Sequence, residues 1–134
     1  MSTLSPAVHL LFPLVAGETR LVIPLEETVL SAALKPASDR SQRLIVFIHG
    51  AASNASRWEE FVDTTALSQR WTLVRFDLRG HGASPARRPG RLENYADDIA
   101  AVIGAAGVHG PIVVVGHSLG AAAALVFAKR FPHI

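Results

Sequence analysis

Pro111-Ile112-Val113-Val114-Val115-Gly116-His117-Ser118-Leu119-Gly120 is the stretch whose reading decides the fold, and it runs on into an alanine-rich segment from Ala121 to Lys129. The apolar run reads as a buried strand and the segment behind it as a helix, with one serine at the corner. Gly116 and Gly120 let strand and helix approach at so sharp a turn, with Ser118 held in a strained conformation and its hydroxyl projecting freely. Ser118 also falls in the first turn of the helix, where unpaired backbone N–H groups and the positive end of the macrodipole stabilise an oxyanion. That position suits a nucleophile.

Working back from this corner, the residues from Arg43 to Ile48 form a short apolar run ending in His49-Gly50, as expected of a strand covered on both faces. A helix follows, with Ser56 and Glu59 spaced as a capping box and Trp58, Phe61, Val62, Thr65 and Ala66 on one face. The next strand, Trp71 to Leu78, closes on Asp77-Leu78-Arg79-Gly80-His81-Gly82-Ala83-Ser84. Residues 85–91, with three arginines and two prolines, form a loop. From Leu92 the apolar residues keep helical spacing to a C-cap at Gly107, with Glu93, Asp97 and Asp98 on the opposite face.

Toward the amino terminus, Thr19 to Glu26 and Thr28 to Lys35 alternate as two strands of a tight antiparallel hairpin. Residues 1–18, which hold Pro6 and Pro13, are expected to form an extension or edge strand, and 19–134 one domain. The pattern predicts an α/β fold, a mostly parallel sheet with helices on both faces behind an amino-terminal hairpin. Ligands of such sheets bind beyond the carboxyl ends of the strands, where His49-Gly50, Asp77 and Ser118 converge.

Composition narrows the function. At 134 residues, 49% hydrophobic and 18% charged, the chain is an ordered single domain rather than a disordered one. A net charge of +2 without aromatic and basic interleaving gives no support for nucleic-acid binding. With no cysteine, disulfides and thiolate metal sites are excluded, and no spacing suggests a metal or another cofactor. The first basic residue, Arg20, comes after the apolar stretch His9 to Val15, so a secretory signal is not expected. The longest apolar run is broken at Gly116 to Gly120, so no membrane span is expected and the chain reads as cytoplasmic.

Taken together, His49-Gly50-Ala51-Ala52, Trp58, the Asp77 to Ser84 motif and Gly116-His117-Ser118-Leu119-Gly120 resemble the α/β-hydrolase fold superfamily over residues 19–132, in its branch of small serine esterases, lactonases and carbon–carbon bond hydrolases. The resemblance implies that Ser118 is the catalytic nucleophile and that the backbone N–H groups of Ala51 and Leu119 form an oxyanion hole. It implies that His49, Gly50 and His117 shape and line the pocket, and that the Asp77 motif, His81 included, is structural. Serine rather than aspartate at the corner points to acyl transfer to water, on a small ester-like substrate. Arg87, Arg88 and Arg91, following a strand's carboxyl end, point to a preference for anionic esters.

Such a serine needs an imidazole and an orienting carboxylate, which in this fold follow it in the chain. Sixteen residues follow Ser118, with no Asp or Glu and one histidine, His133, placed about 20 Å away by a helix rising 1.5 Å per residue. The chain therefore reads as the amino-terminal half of a hydrolase, a truncated core. The alternatives are an inactive fragment, a non-enzymatic interaction module, or one half of a split enzyme. With a neighbour on one side only, residues 111–115 would form an apolar sheet edge, a place for self-association or for a complementing chain.

Overall fold

The structure, a computed structural model, describes residues 4–134. The expected hairpin is present as β1 (Thr19–Pro24) and β2 (Val29–Lys35), with Ile23 opposite Leu30. β3 (Leu44–Ile48) and β4 (Thr72–Phe76) are buried at every position, and β5 (Ile112–Gly116) ends at the serine corner. The sheet order is β1-β2-β4-β3-β5. β4, β3 and β5 run parallel, with Val46 between Val74 and Val114, while β2 joins β4 antiparallel. Parallel neighbours require long crossovers. These carry α1 (Glu59–Thr64) between β3 and β4 and α2 (Leu92–Ala106) between β4 and β5, and α3 (Leu119–Arg130) follows the corner.

Side chains alternate across the sheet, so each strand feeds two cores. Leu44, Val46, Ile48, Val74 and Phe76 pack under Ala96, Ile99 and Val102 of α2 and Ala123 and Phe127 of α3. Ile45, Phe47 and Leu73 face the other way, onto Val62 of α1 and the Trp58 and Trp71 rings. Phe47 is closed in by Trp58 at 5.2 Å and Phe61 at 5.5 Å between ring centroids. Full burial of such a side chain contributes about 1.5–3 kcal/mol. α2 ends as expected at Gly107, whose φ of 67° is the left-handed C-cap.

Three local expectations are corrected. The described part of residues 1–18 contains one 3-10 turn, Val8–Leu10, and no strand. Its anchor is a charge: Arg75 of β4 is fully buried and donates to Glu18 (2.7 and 2.9 Å), to the Ala55 carbonyl (3.1 Å) and to the Pro13 carbonyl (2.9 Å). The Phe12 ring covers the guanidinium at 4.6 Å. An arginine inside a sheet face needs carbonyl and carboxylate acceptors, and the proline-bearing segment supplies them as irregular backbone instead of ladder.

The second correction is the capping box at Ser56 and Glu59, which does not form. Asn54 caps the turn instead, its side chain accepting from Ser56 N (2.8 Å), so residues 55–58 wind as a 3-10 turn before α1. Thr65 then leaves the helical region and starts a further 3-10 turn with its own hydroxyl. The third is Asp98, expected on the solvent face of α2 and found fully buried. Arg79 reaches it with Nε and Nη2, at 2.9 and 2.7 Å, and the Arg79 backbone N–H adds a third bond at 3.1 Å. Burial raises the Asp98 pKa and the bonds from Arg79 oppose that shift.

Candidate active site

The corner between β5 and α3 is as tight as its glycines imply. A Cβ on Gly116 would lie 2.4 Å from the Gly120 carbonyl oxygen, and one on Gly120 would lie 2.5 Å from the carbonyl oxygen of Ile48. Between them Ser118 has φ 54° and ψ −115°, a region natural to glycine and costly for any side chain. Ser118 is exposed, and among the described residues its hydroxyl makes no hydrogen bond. The neighbouring strand end is pinned beneath it: His117 N–H donates to the Ile48 carbonyl at 3.0 Å, and a Cβ on Gly50 would meet Ser118 Cβ at 3.4 Å and His117 Nδ1 at 2.9 Å.

The chain after β3 turns at Ala51 and Ala52, both exposed, with Ala52 at φ 54°. Among the described residues no partner takes the backbone N–H of Ala51 or of Leu119. His49 differs from its expected role as a lining residue, because it has no exposed surface. Its Nε2 accepts from Leu78 N (3.0 Å), which leaves Nδ1–H to donate to the Gly50 carbonyl (2.7 Å). The ring is a neutral brace between the ends of β3 and β4. Burial holds its pKa down at about 4. Gly50 is buried too, directly under the corner, and only His117 of the three is exposed.

The Asp77 motif is a structural knot, in line with the resemblance. Asp77 is buried, accepting from Ala55 N (2.7 Å) with one oxygen and from Ala83 N (2.9 Å) with the other. Burial raises its pKa and these two bonds oppose the rise. Ser84 Oγ accepts from Ser31 N, and the His81 ring, bonded to the Arg79 carbonyl, lies 5.1 Å from the His49 ring.

One residue at the corner was not singled out from sequence. Arg57 donates from Nη2 to His117 Nε2 at 3.1 Å, placing a guanidinium beside the residue that precedes Ser118. No pattern marks it, since residues 57 and 117 meet only through the fold. His133 is not brought near, because the 12 residues of α3 stand between it and Ser118, about 18 Å at 1.5 Å each. Among the described residues no group of three or more His, Asp or Glu side chains gathers to hold a metal, and no helix is long and apolar enough to cross a membrane.

Comparison with known proteins shows the family and the fold. Residues 45–132 match the model of the alpha/beta hydrolase family. The chain is 39% identical over 92 residues to 2-(acetamidomethylene)succinate hydrolase of Mesorhizobium japonicum, covering 68% of this chain and 32% of that protein. It is 35% identical over 95 residues to a bifunctional esterase/perhydrolase of Acinetobacter calcoaceticus, covering 70% and 34%. The crystal structure of E-2-(acetamidomethylene)succinate hydrolase superposes with a TM-score of 0.71 at 33% identity, over 86% of this chain and 41% of that one. The chain thus spans about a third of the length of these curated relatives.

Proposed function

The chain belongs to the alpha/beta hydrolase family, and from that premise we propose that it carries the nucleophile and oxyanion hole of a serine hydrolase acting on carboxylic esters or related acyl substrates. The observation that carries the reading is Ser118, held exposed at φ 54° at the N-cap of α3. Its Oγ attacks the acyl carbon. The developing oxyanion is stabilised by the N–H groups of Ala51 and Leu119, which have no protein partner among the described residues, and by the positive end of α3. The relatives named as hydrolase and esterase support the reaction class.

Ser118 still requires a base and an orienting acid. His49 is unsuited, with both ring nitrogens engaged and no exposed surface, so in this reading the pair comes from elements that pack beside β5. β5 pairs with β3 alone among the described strands, and Val113 and Leu125 stand exposed next to that edge. We propose that the edge accepts a further strand and that hydrolysis depends on it.

The direct experiment is labelling with a serine-directed fluorophosphonate, followed by peptide mapping. Modification of Ser118 that disappears in Ser118→Ala supports the assignment. Labelling that persists in Ser118→Ala refutes it.

A further inference from the structure

One cavity lies apart from Ser118, which is not in its lining. It is a cleft of about 530 Å³ lined by Glu27, Arg79, Arg88, Pro89, Arg91 and Asn94. A second cavity of about 360 Å³ shares Arg79, Arg88 and Pro89 with it and adds Arg87, His81 and Tyr95. Four arginines thus border one continuous depression. Two carboxylates oppose them: Asp98, already committed to Arg79, and Glu27, whose Oε2 lies 3.9 Å from Arg88 Nε. The depression keeps a surplus of positive charge after both pairings.

The donors are of two kinds. Arg79 is nearly buried and rigid, with Nε and Nη2 fixed on Asp98, while Nη1 has no partner among the described residues. Arg88 and Arg91 are exposed at the rim, Arg88 beside Glu27 and Arg91 at the N-cap of α2. A buried, anchored guanidinium and exposed ones at the rim suit the forked geometry of a carboxylate or phosphate.

The place of the cleft in the sheet gives it a purpose. Arg79 follows the carboxyl end of β4, and Glu27 sits in the β1–β2 turn, which the antiparallel pairing of β2 with β4 brings to the same end of the sheet as Ser118. β4 is two strands from β5 and β2 is three, so at 4.7–4.9 Å per strand the cleft lies about 10–15 Å sideways from the nucleophile. We propose that the cleft is an oxyanion subsite that takes the carboxylate or phosphate group at the far end of the substrate. Its role toward substrate rests on Ser118 being the nucleophile, but binding there does not.

Isothermal titration of the 134-residue chain with succinate and, separately, with inorganic phosphate at low ionic strength tests the site. The same titrations are run on Arg88→Ala, Arg91→Ala, Arg91→Lys and Ser118→Ala. The expected result is saturable binding of at least one anion, with affinity down roughly ten-fold or more in each arginine-to-alanine variant, the loss of one charge-assisted hydrogen bond. Arg91→Lys is expected to fall between, and Ser118→Ala to match the wild type. A preference for succinate assigns a carboxylate, and a preference for phosphate a phosphate group. No binding of either anion overturns the proposal, as does binding that both alanine variants leave unchanged. Because Ser118→Ala keeps the site, fluorophosphonate labelling that persists in Ser118→Ala would count against the nucleophile and not against the subsite.

Discussion

Replacing Ser118 by glycine should make the protein more stable while removing its proposed reactivity. At φ 54° and ψ −115° the serine occupies a region that costs a residue with a side chain about 1–3 kcal/mol. Glycine adopts it freely, at a price of about 0.5–1 kcal/mol in extra unfolded-chain entropy. The hydroxyl is exposed and unbonded among the described residues, so nothing else of size is lost. The net gain is about 0–2.5 kcal/mol and centres on roughly 1 kcal/mol, or a rise of about 0.5 M in the urea midpoint for a slope near 2 kcal/mol per molar. Ser118→Ala is the control, because it deletes the hydroxyl but keeps the Cβ and hence the strain. It should unfold within about 0.5 kcal/mol of the wild type. Both variants should lose fluorophosphonate labelling. A Ser118→Gly midpoint at or below that of Ser118→Ala would show that the corner stores no strain and would refute the argument.

Glu18→Gln should destabilise the chain by about 3–5 kcal/mol in urea unfolding, since it leaves the fully buried Arg75 without its carboxylate. His49 titrates near 4 when folded against an ordinary 6.5, so its contribution is complete above pH 6.5 and lost as pH falls toward 4, on the order of 3 kcal/mol. The stability difference between wild type and His49→Gln should narrow across that window, and a pH-independent difference would remove the neutral-brace reading. Light scattering of the isolated chain should give a mass above that of the monomer, reduced toward it by Val113→Lys on the exposed face of β5. A strictly monomeric wild type at high concentration would count against the open edge.

What was legible in the sequence was whatever a short window encodes. β3, β4 and β5 announce themselves as apolar runs, Gly107 as a cap, and the serine corner as a spacing of glycines. What was hidden depends on partners far along the chain. Arg75 reads as an interruption in a strand until Glu18 is seen 57 residues away, and Asp98 reads as solvent-facing until Arg79 comes around to it. At Ser56 the local signal was present but lost a competition: Asn54, two residues earlier, took the capping role. The arginines of residues 85–91 were visible, but the cleft they border needs Glu27 from the hairpin turn and so exists only in three dimensions.

Asp77 has a consequence for motion. One carboxylate group holds Ala55, beyond the loop that carries Ala51, and Ala83, in the loop that leads to the arginine cleft. Neither loop can open without breaking a bond to the same buried group, so local opening of either one disturbs a shared support. The segment behind Ala51 and the loop leading to the arginine cleft thus rest on a single side chain.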